Sequence, residues 1–357
     1  MDILKLKREQ LVNVAKHRDY LRKNPHLRWL FFEITDCCNL SCKHCGSDCI
    51  SQGQYLTIED VKRVLASLQN ERPMICLSGG EPLLHYDFFK IAECVRDMGF
   101  SWGITTNATL IDETVAKRLR QTGMSTVSVS IDGMERSHDL LRGVKGAWNR
   151  AICGITCLQK AGLNPQVTTV VHRDNISDLE QLFELLSKMQ ISSWRPINIE
   201  PIGRAYESRD LLLSPDQFAY LLSLIREKRY ASDNNMEVTF GCSHYLGKEY
   251  ERMVRDHYFI CGAGILVASV RSNGDICACL DVPDLKSLVQ GNIRTDDFLQ
   301  IWKEKFYIFR GDRTALCAKC EICSERFVCA GDSTHTWDFK NNKPKLCYRD
   351  YASSIMG

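Results

Sequence analysis

Cys38, Cys42 and Cys45 stand four and three residues apart. Thiolates at those spacings can converge from one loop onto one face of an inorganic cluster. A cubane iron–sulfur cluster normally takes four cysteines. Three leave one iron open to a substrate or cofactor, as a catalytic zinc site keeps an open position. The alternative is a closed zinc loop completed by Cys37, Cys49 or His44. Further along, Gly79, Gly80, Glu81 and Pro82 follow a β-rich run. Paired glycines let backbone approach a ligand closely, and exposed carbonyls together with Glu81 can take an ammonium group. A second set, Cys261, Cys277, Cys279, Cys317, Cys320, Cys323, Cys329 and Cys347, supplies eight thiols, enough for two four-cysteine clusters. Its alternative is a zinc ribbon between Cys317 and Cys329. The other five of the 18 cysteines (Cys76, Cys94, Cys153, Cys157 and Cys242) lie among apolar neighbours and read as core residues.

Elements that can position such loops are legible. Strand candidates fall at 29–34, 74–78, 102–106, 126–131, 166–171 and 194–200, several apolar on both parities, as parallel strands covered on both faces are. Helices lie between them. Thr57 with Asp60 and Ser177 with Glu180 fit capping boxes, and Gly99, Gly123 and Gly162 sit where the helices should end. Strand–helix repeats imply a parallel α/β sheet, open or a partial barrel, with active-site loops at the C-terminal strand ends. Another helix opens at Ser214 with Pro215 at its first position. From Met236 the rhythm changes. Residues 261–281 read as a β-hairpin turning at Asn273-Gly274, and 295–306 as a short helix. Residues 317–347 are loop-rich, with too few apolar residues for a core of their own, so metal is expected to hold them. The organisation read is an N-terminal helical extension (1–28), a parallel core (29–235), a linker (236–254) and a cysteine-rich domain (255–357).

Composition narrows the class. The chain has 357 residues, 44% hydrophobic and 25% charged, the balance of a globular protein with a sizeable core. Lys plus Arg (46) nearly cancels Asp plus Glu (44), so no global field points to nucleic acid or an anionic membrane. No apolar run approaches the roughly eighteen residues of a membrane span. No signal peptide is evident, which favours metal sites over disulfides and a cytoplasmic location.

The three-cysteine loop after the first strand and Gly79–Pro82 after the second resemble the two most diagnostic motifs of the radical S-adenosylmethionine (radical SAM) superfamily. The resemblance covers residues 29 to about 200 and implies a partial (β/α)6 barrel. It implies that Cys38, Cys42 and Cys45 ligate a [4Fe-4S] cluster whose open iron chelates SAM, and that SAM is cleaved to a 5′-deoxyadenosyl radical that abstracts a substrate hydrogen. Carried over position by position, Gly79, Gly80, Glu81 and Pro82 match the stretch that holds the methionine amine. Thr106-Asn107, Ser130 and Asp132 match the positions near ribose and methionine, and Arg142 is a candidate for the SAM carboxylate. The pattern from Cys261 through Gly274 and Cys279 to Cys320, Cys323, Cys329 and Cys347 resembles the SPASM extension, which carries one or two auxiliary [4Fe-4S] clusters. That family expects a further cysteine where this chain has Ser333. Cys320, Cys323, Cys329 and Cys347 are assigned to one auxiliary cluster. Cys261, Cys277, Cys279 and Cys317 are assigned to the other, with Asp332 and His335 as alternative ligands.

SPASM relatives mostly modify peptides or proteins, so the resemblance implies a peptide or protein substrate, with a small-molecule oxidoreductase as the alternative. Sulfatase maturation ranks low, because Leu280 stands where that group places an acidic base and Asp281 is one residue on, on the other face of a strand. An electron-carrying or metal-stabilised binding protein ranks low as well, since neither needs an ammonium shelf. A reductant of flavodoxin or ferredoxin type is expected as partner. With about 28 residues before the first strand, any leader-peptide-binding domain is expected to be a separate protein.

Overall fold

The computed structural model describes residues 3–47, 49, 53–231, 234–241, 244–283 and 285–348. Six strands, β1 (Trp29–Thr35), β2 (Met74–Gly79), β3 (Trp102–Thr106), β4 (Thr126–Ser130), β5 (Pro165–Val171) and β6 (Ser193–Asn198), run parallel and side by side in chain order. A long helix, α1 (Ile3–Lys23), precedes them, and α2 (Ile58–Ser67), α3 (Phe88–Asp97), α4 (Glu113–Gln121), α5 (Glu135–Arg142), α6 (Ala147–Lys160) and α7 (Leu179–Lys188) fill the crossovers. After β6 come α8 (Pro215–Tyr230), the short β7 (Glu237–Val238) and α9 (Gly247–Val254).

The chain then returns to the opposite edge. Strand β8 (Val267–Val270) pairs in parallel with β1, and β9 (Asp275–Cys277) and β10 (Gly291–Asn292) extend the sheet antiparallel, before α10 (Phe298–Glu304). One ten-stranded sheet therefore joins the parallel core to the cysteine-rich region. A single buried cluster runs through both, from Leu30 and Phe32 to Ile276, Phe298 and Phe309. Each such fully buried side chain stabilises the fold by about 1.5–3 kcal/mol. Helix α1 adds a tether: Arg18 and Arg22 donate to the carbonyls of Val328 (2.9 Å) and Ala330 (3.4 Å), beside Cys329.

Local signals explain most boundaries. Thr57–Asp60 and Ser214–Gln217 form capping boxes at α2 and α8. Gly99, Gly123 and Gly162 follow the C-caps of α3, α4 and α6 with φ of 82°, 77° and 78°. The β8–β9 turn places Gly274 at φ 90°, with Asn273 Oδ1 accepting from Asp275 N (2.9 Å). The Ser177 capping box does not form. Residues 176–178 wind as a 3-10 turn, so α7 starts one residue later, from Asp178, without a side-chain cap. Among the cysteines expected in the core, Cys153 is exposed, because the buried stripe of α6 is Ala147, Ala151, Gly154, Ile155 and Leu158. Cys76, Cys94 and Cys157 are half-buried, and Cys242 lies outside the described residues. No helix among the described residues is long and apolar enough to cross a membrane.

Candidate active site

The loop after β1 carries the three cysteines, and it is held from three sides. Gly80 N donates to Thr35 O and Glu81 N to Cys37 O, both at 2.8 Å. A Cβ on Gly79 would lie 2.1 Å from Thr35 O, and one on Gly80 2.0 Å from Cys37 O. The backbone that these glycines admit is thus the cysteine loop itself. On the second side, Ser41 N and Lys43 N donate to the carbonyls of Arg142 (3.1 Å) and Leu141 (2.9 Å) at the end of α5. On the third, the Arg204 guanidinium bridges Cys42 O (3.0 Å) and Cys49 O (2.9 Å), while Arg204 N donates to Cys45 O (3.0 Å).

Glu81 also has a structural part. Its side chain is fully buried, with Oε1 accepting from Thr106 Oγ1 (2.7 Å) and Oε2 from Asn107 N (2.8 Å). Burial pushes its carboxyl up to about 7. It ties the end of β2 to the end of β3. Asn107 continues the chain: its Nδ2 donates to Asn39 Oδ1 (2.9 Å) in the cysteine loop. Pro82 opens the single 3-10 turn that Glu81 caps.

The sulfurs meet. Cys38 and Cys45 pack with Val144 against a buried cluster of Leu40, Cys42 and Ala147. Arg142 reaches the same place, its Nη1 lying 3.7 Å from Cys42 Sγ. Its other edge is paired with Asp132 at 2.6 Å, the carboxylate fully buried and accepting from Val170 N (2.8 Å). The two residues expected to touch SAM independently are therefore one ion pair that presents a guanidinium to the cysteine loop. Ser130, half-buried, ends β4 just before them. Burial pushes the Cys38 thiol up to about 11 and raises Cys42. Cys45 is drawn down to about 5 by its hydrogen bond with Cys49, whose sulfur is 3.8 Å away.

Of the alternative fourth ligands, Cys37 Sγ faces Tyr55 OH (3.0 Å). His44 is half-buried, and its ring is kept neutral down to about 3 by desolvation and then by Arg142. Cys49 alone of the three stays against the trio. Among the described residues, no three Cys, His, Asp or Glu side chains gather closely enough to share one ion. A cubane asks for something else, because its cysteines ligate different irons. Three thiols in one small pocket with a guanidinium beside them fit such a cluster, and Cys38, Cys42 and Cys45 are the residues that would hold it.

The C-terminal cysteines lie in two neighbourhoods. Cys317 hydrogen-bonds Cys320, whose thiol is pushed up to about 12 by burial and then by Cys317, with Cys347 and Cys323 also close enough to act on it. Cys329, raised by burial, feels Cys347. Cys317 therefore lies beside Cys320, a member of the expected four-cysteine set. Cys261 Sγ lies 3.3 Å from both Thr334 N and Thr334 Oγ1, and Gly264 N donates to Ala278 O (3.3 Å), which brings the Cys261 segment alongside Cys279. Cys277 is 1% exposed inside β9. Ser333, adjacent to Thr334, turns its hydroxyl to Thr336 (3.1 Å). Asp332 is no longer a candidate ligand: Oδ2 pairs with His244 Nδ1 (3.0 Å) and Oδ1 accepts from Tyr245 N (2.8 Å). His335 is buried and kept neutral, its ring held down to about 4.

Sequence reasoning missed several residues. Arg204, His244 and Glu200 carried no local motif. Glu33, whose carboxyl burial pushes up to about 7, accepts from Ser47 Oγ (3.1 Å) and is close enough to Cys45 and Asp281 to feel both. The face argument against Asp281 fails, because β9 ends at Cys277 and strand alternation stops there. Asp281 is exposed and stands by Gly46, where a Cβ would meet its Oδ1 at 3.4 Å.

Comparison with known proteins agrees with this geometry. A sequence profile described as the radical SAM superfamily matches residues 32–186, and one described as an iron–sulfur cluster-binding (SPASM) domain matches 261–324. The AdoMet-dependent heme synthase of Methanosarcina barkeri is 32% identical over 90% of this chain and 97% of its own length. The Fe-coproporphyrin III synthase of the same organism is 27% identical, over 85% and 83%. The mycofactocin maturase MftC of Mycobacterium tuberculosis is 26% identical, over 85% and 77%. The solved structure of native anSMEcpe with bound AdoMet and the Cp18Cys peptide shares the fold, with a TM-score of 0.71 and 19% identity over 93% of this chain and 96% of that one.

Proposed function

The chain belongs to the radical SAM superfamily and carries a SPASM extension, with SAM and [4Fe-4S] clusters as its cofactors, and from that premise we propose that it oxidises a peripheral side chain of a carboxylated, heme-type tetrapyrrole. The observation that carries this reading is the 32% identity that spans 97% of a heme synthase. Bound together, cluster and SAM supply a 5′-deoxyadenosyl radical that takes a hydrogen atom from the substrate. The chain's own part is to hold and to exclude. Cys38, Cys42 and Cys45 hold the cluster, the Asp132–Arg142 pair sets a cation beside it for the SAM carboxylate, and the Glu81–Thr106–Asn107 tie fixes the loop against the strand ends. A low-potential carrier of flavodoxin or ferredoxin type is the reductant this chemistry calls for.

The second reading, a peptide substrate, is favoured by MftC, which is 26% identical but matched over only 77% of its length. One assay separates the two. Anaerobically reconstituted protein is given SAM and dithionite, and 5′-deoxyadenosine is measured with Fe-coproporphyrin III or with synthetic precursor peptides. Stimulation by the tetrapyrrole of about tenfold or more over the substrate-free rate is expected, a barrier change of about 1.4 kcal/mol. Stimulation by a peptide and none by the tetrapyrrole would reverse the order.

A further inference from the structure

The parallel sheet has two unlike faces. Residues that point to the helices, such as Leu30, Phe32, Ile75, Leu77, Val127, Val129, Val167 and Trp194, are buried. The alternate positions remain partly accessible: Cys76, Ser128, Gln166, Thr168 and Arg195 are half-buried and Thr105 is exposed. A closed barrel packed by its own side chains would have buried both sets. The concave face is therefore a hollow, and its lining is polar.

Within the hollow, three neighbouring strands build a continuous row. The register sets Ser128 opposite Gln166 and Thr168 opposite Arg195. Gln166 Nε2 donates to Ser128 Oγ (3.4 Å), Ser128 Oγ and Thr168 Oγ1 are 3.0 Å apart, and Arg195 Nη2 donates to Thr168 Oγ1 (3.5 Å). Arg195 stands on β6, yet its charge acts on the thiol of Cys76 on β2, which burial pushes up to about 12. The guanidinium's contact is with Thr168 on the adjacent β5, on the same face of the sheet as Ser128 and Gln166. Asn198, the last residue of β6, is three positions beyond Arg195, which places Arg195 about 10 Å beneath the strand ends where the cysteine loop and Arg142 sit.

We propose that Arg195, with Gln166, Ser128 and Thr168, forms a carboxylate-binding subsite that anchors the substrate beneath SAM. A guanidinium fork flanked by an amide and two hydroxyls matches a carboxylate in charge and in donor geometry. The assignment rests on the tetrapyrrole reading, whose substrates carry several carboxylates. SAM carries a carboxylate too, and the test separates the two sources.

The test titrates coproporphyrin III, its tetramethyl ester and, separately, SAM into the reconstituted wild type and Arg195→Met, in one detergent-containing buffer. The acid is expected to bind the wild type about tenfold or more tighter than it binds Arg195→Met, the loss of one charge-assisted pair. The ester is expected to bind both proteins equally weakly, and SAM affinity to stay unchanged. Equal binding of the acid by both proteins overturns the subsite and leaves the tetrapyrrole reading standing. An equal fall in SAM affinity assigns the guanidinium to SAM and overturns the subsite as well. If neither acid nor ester binds the wild type, the tetrapyrrole reading itself fails.

Discussion

Replacing Cys38, Cys42 and Cys45 together by alanine is expected to remove about four irons and to abolish 5′-deoxyadenosine formation, while the C-terminal iron stays. The selectivity follows from how the loop is held. Its backbone is fixed by Gly80 and Glu81, by the α5 carbonyls and by Arg204, none of which needs a thiol. The triple variant should therefore fold with the loop in place and lack only the ligands. Iron counting after anaerobic reconstitution gives the readout, with Cys153→Ala, an exposed cysteine on α6, as the control that keeps its full complement. A fall from about twelve irons to about eight means two auxiliary clusters. A fall from about eight to about four means that Ser333 marks a site without its cluster. Retention of all the iron, or of SAM cleavage, by the triple variant would contradict the assignment.

The second large effect lies at the junction between the sheet and the cysteine-rich region. His244 is fully buried between Glu200, on its Nε2, and Asp332, 3.0 Å from its Nδ1, and its ring lies against Tyr348. Tyr348 OH in turn accepts from Asn198 Nδ2 (2.6 Å). Burial disfavours the imidazolium, but the two carboxylates outweigh it and hold the ring up to about 9. His244→Ala leaves two buried carboxylates without a counter-charge, which costs about 3–5 kcal/mol. The sign of the pH dependence follows from the raised value. Stability supplied by protonated His244 is present in full below its ordinary range near 6.5, while the carboxylates stay ionised. It is lost as pH rises through about 9. Denaturation midpoints of wild type and variant should therefore lie far apart at pH 6 and converge by pH 10. A gap that is constant with pH would show that the ring packs but carries no charge.

What the sequence made legible was local. The six parallel strands announced themselves because their helix-facing positions are apolar, and the box at Thr57 and the helix start at Ser214 were legible because each signal lies within four residues, although the equally local box at Ser177 did not form. The three-cysteine loop was legible because its ligands lie within eight positions of one another. What stayed hidden was long-range. His244 meets Asp332 across 88 positions, and Arg204 meets Cys42 across 162, with no spacing rule to connect them. The parallel pairing of β8 with β1 depends on the chain returning to the far edge of the sheet, which periodicity does not encode. Gly79, Gly80 and Glu81 were legible as part of the site, but that they also brace the cysteine loop was not, because the atoms they approach belong to Thr35, Cys37, Thr106 and Asn107.

The measurement that bears most directly on the proposed reaction follows one hydrogen atom. Reconstituted protein, SAM and dithionite are incubated with Fe-coproporphyrin III deuterated on its carboxylated side chains, and the 5′-deoxyadenosine is weighed by mass spectrometry. Gain of one deuterium, dependent on Cys38, Cys42 and Cys45, is the predicted result. 5′-Deoxyadenosine formed without deuterium while the tetrapyrrole returns unchanged would contradict a tetrapyrrole substrate and return the peptide reading to first place.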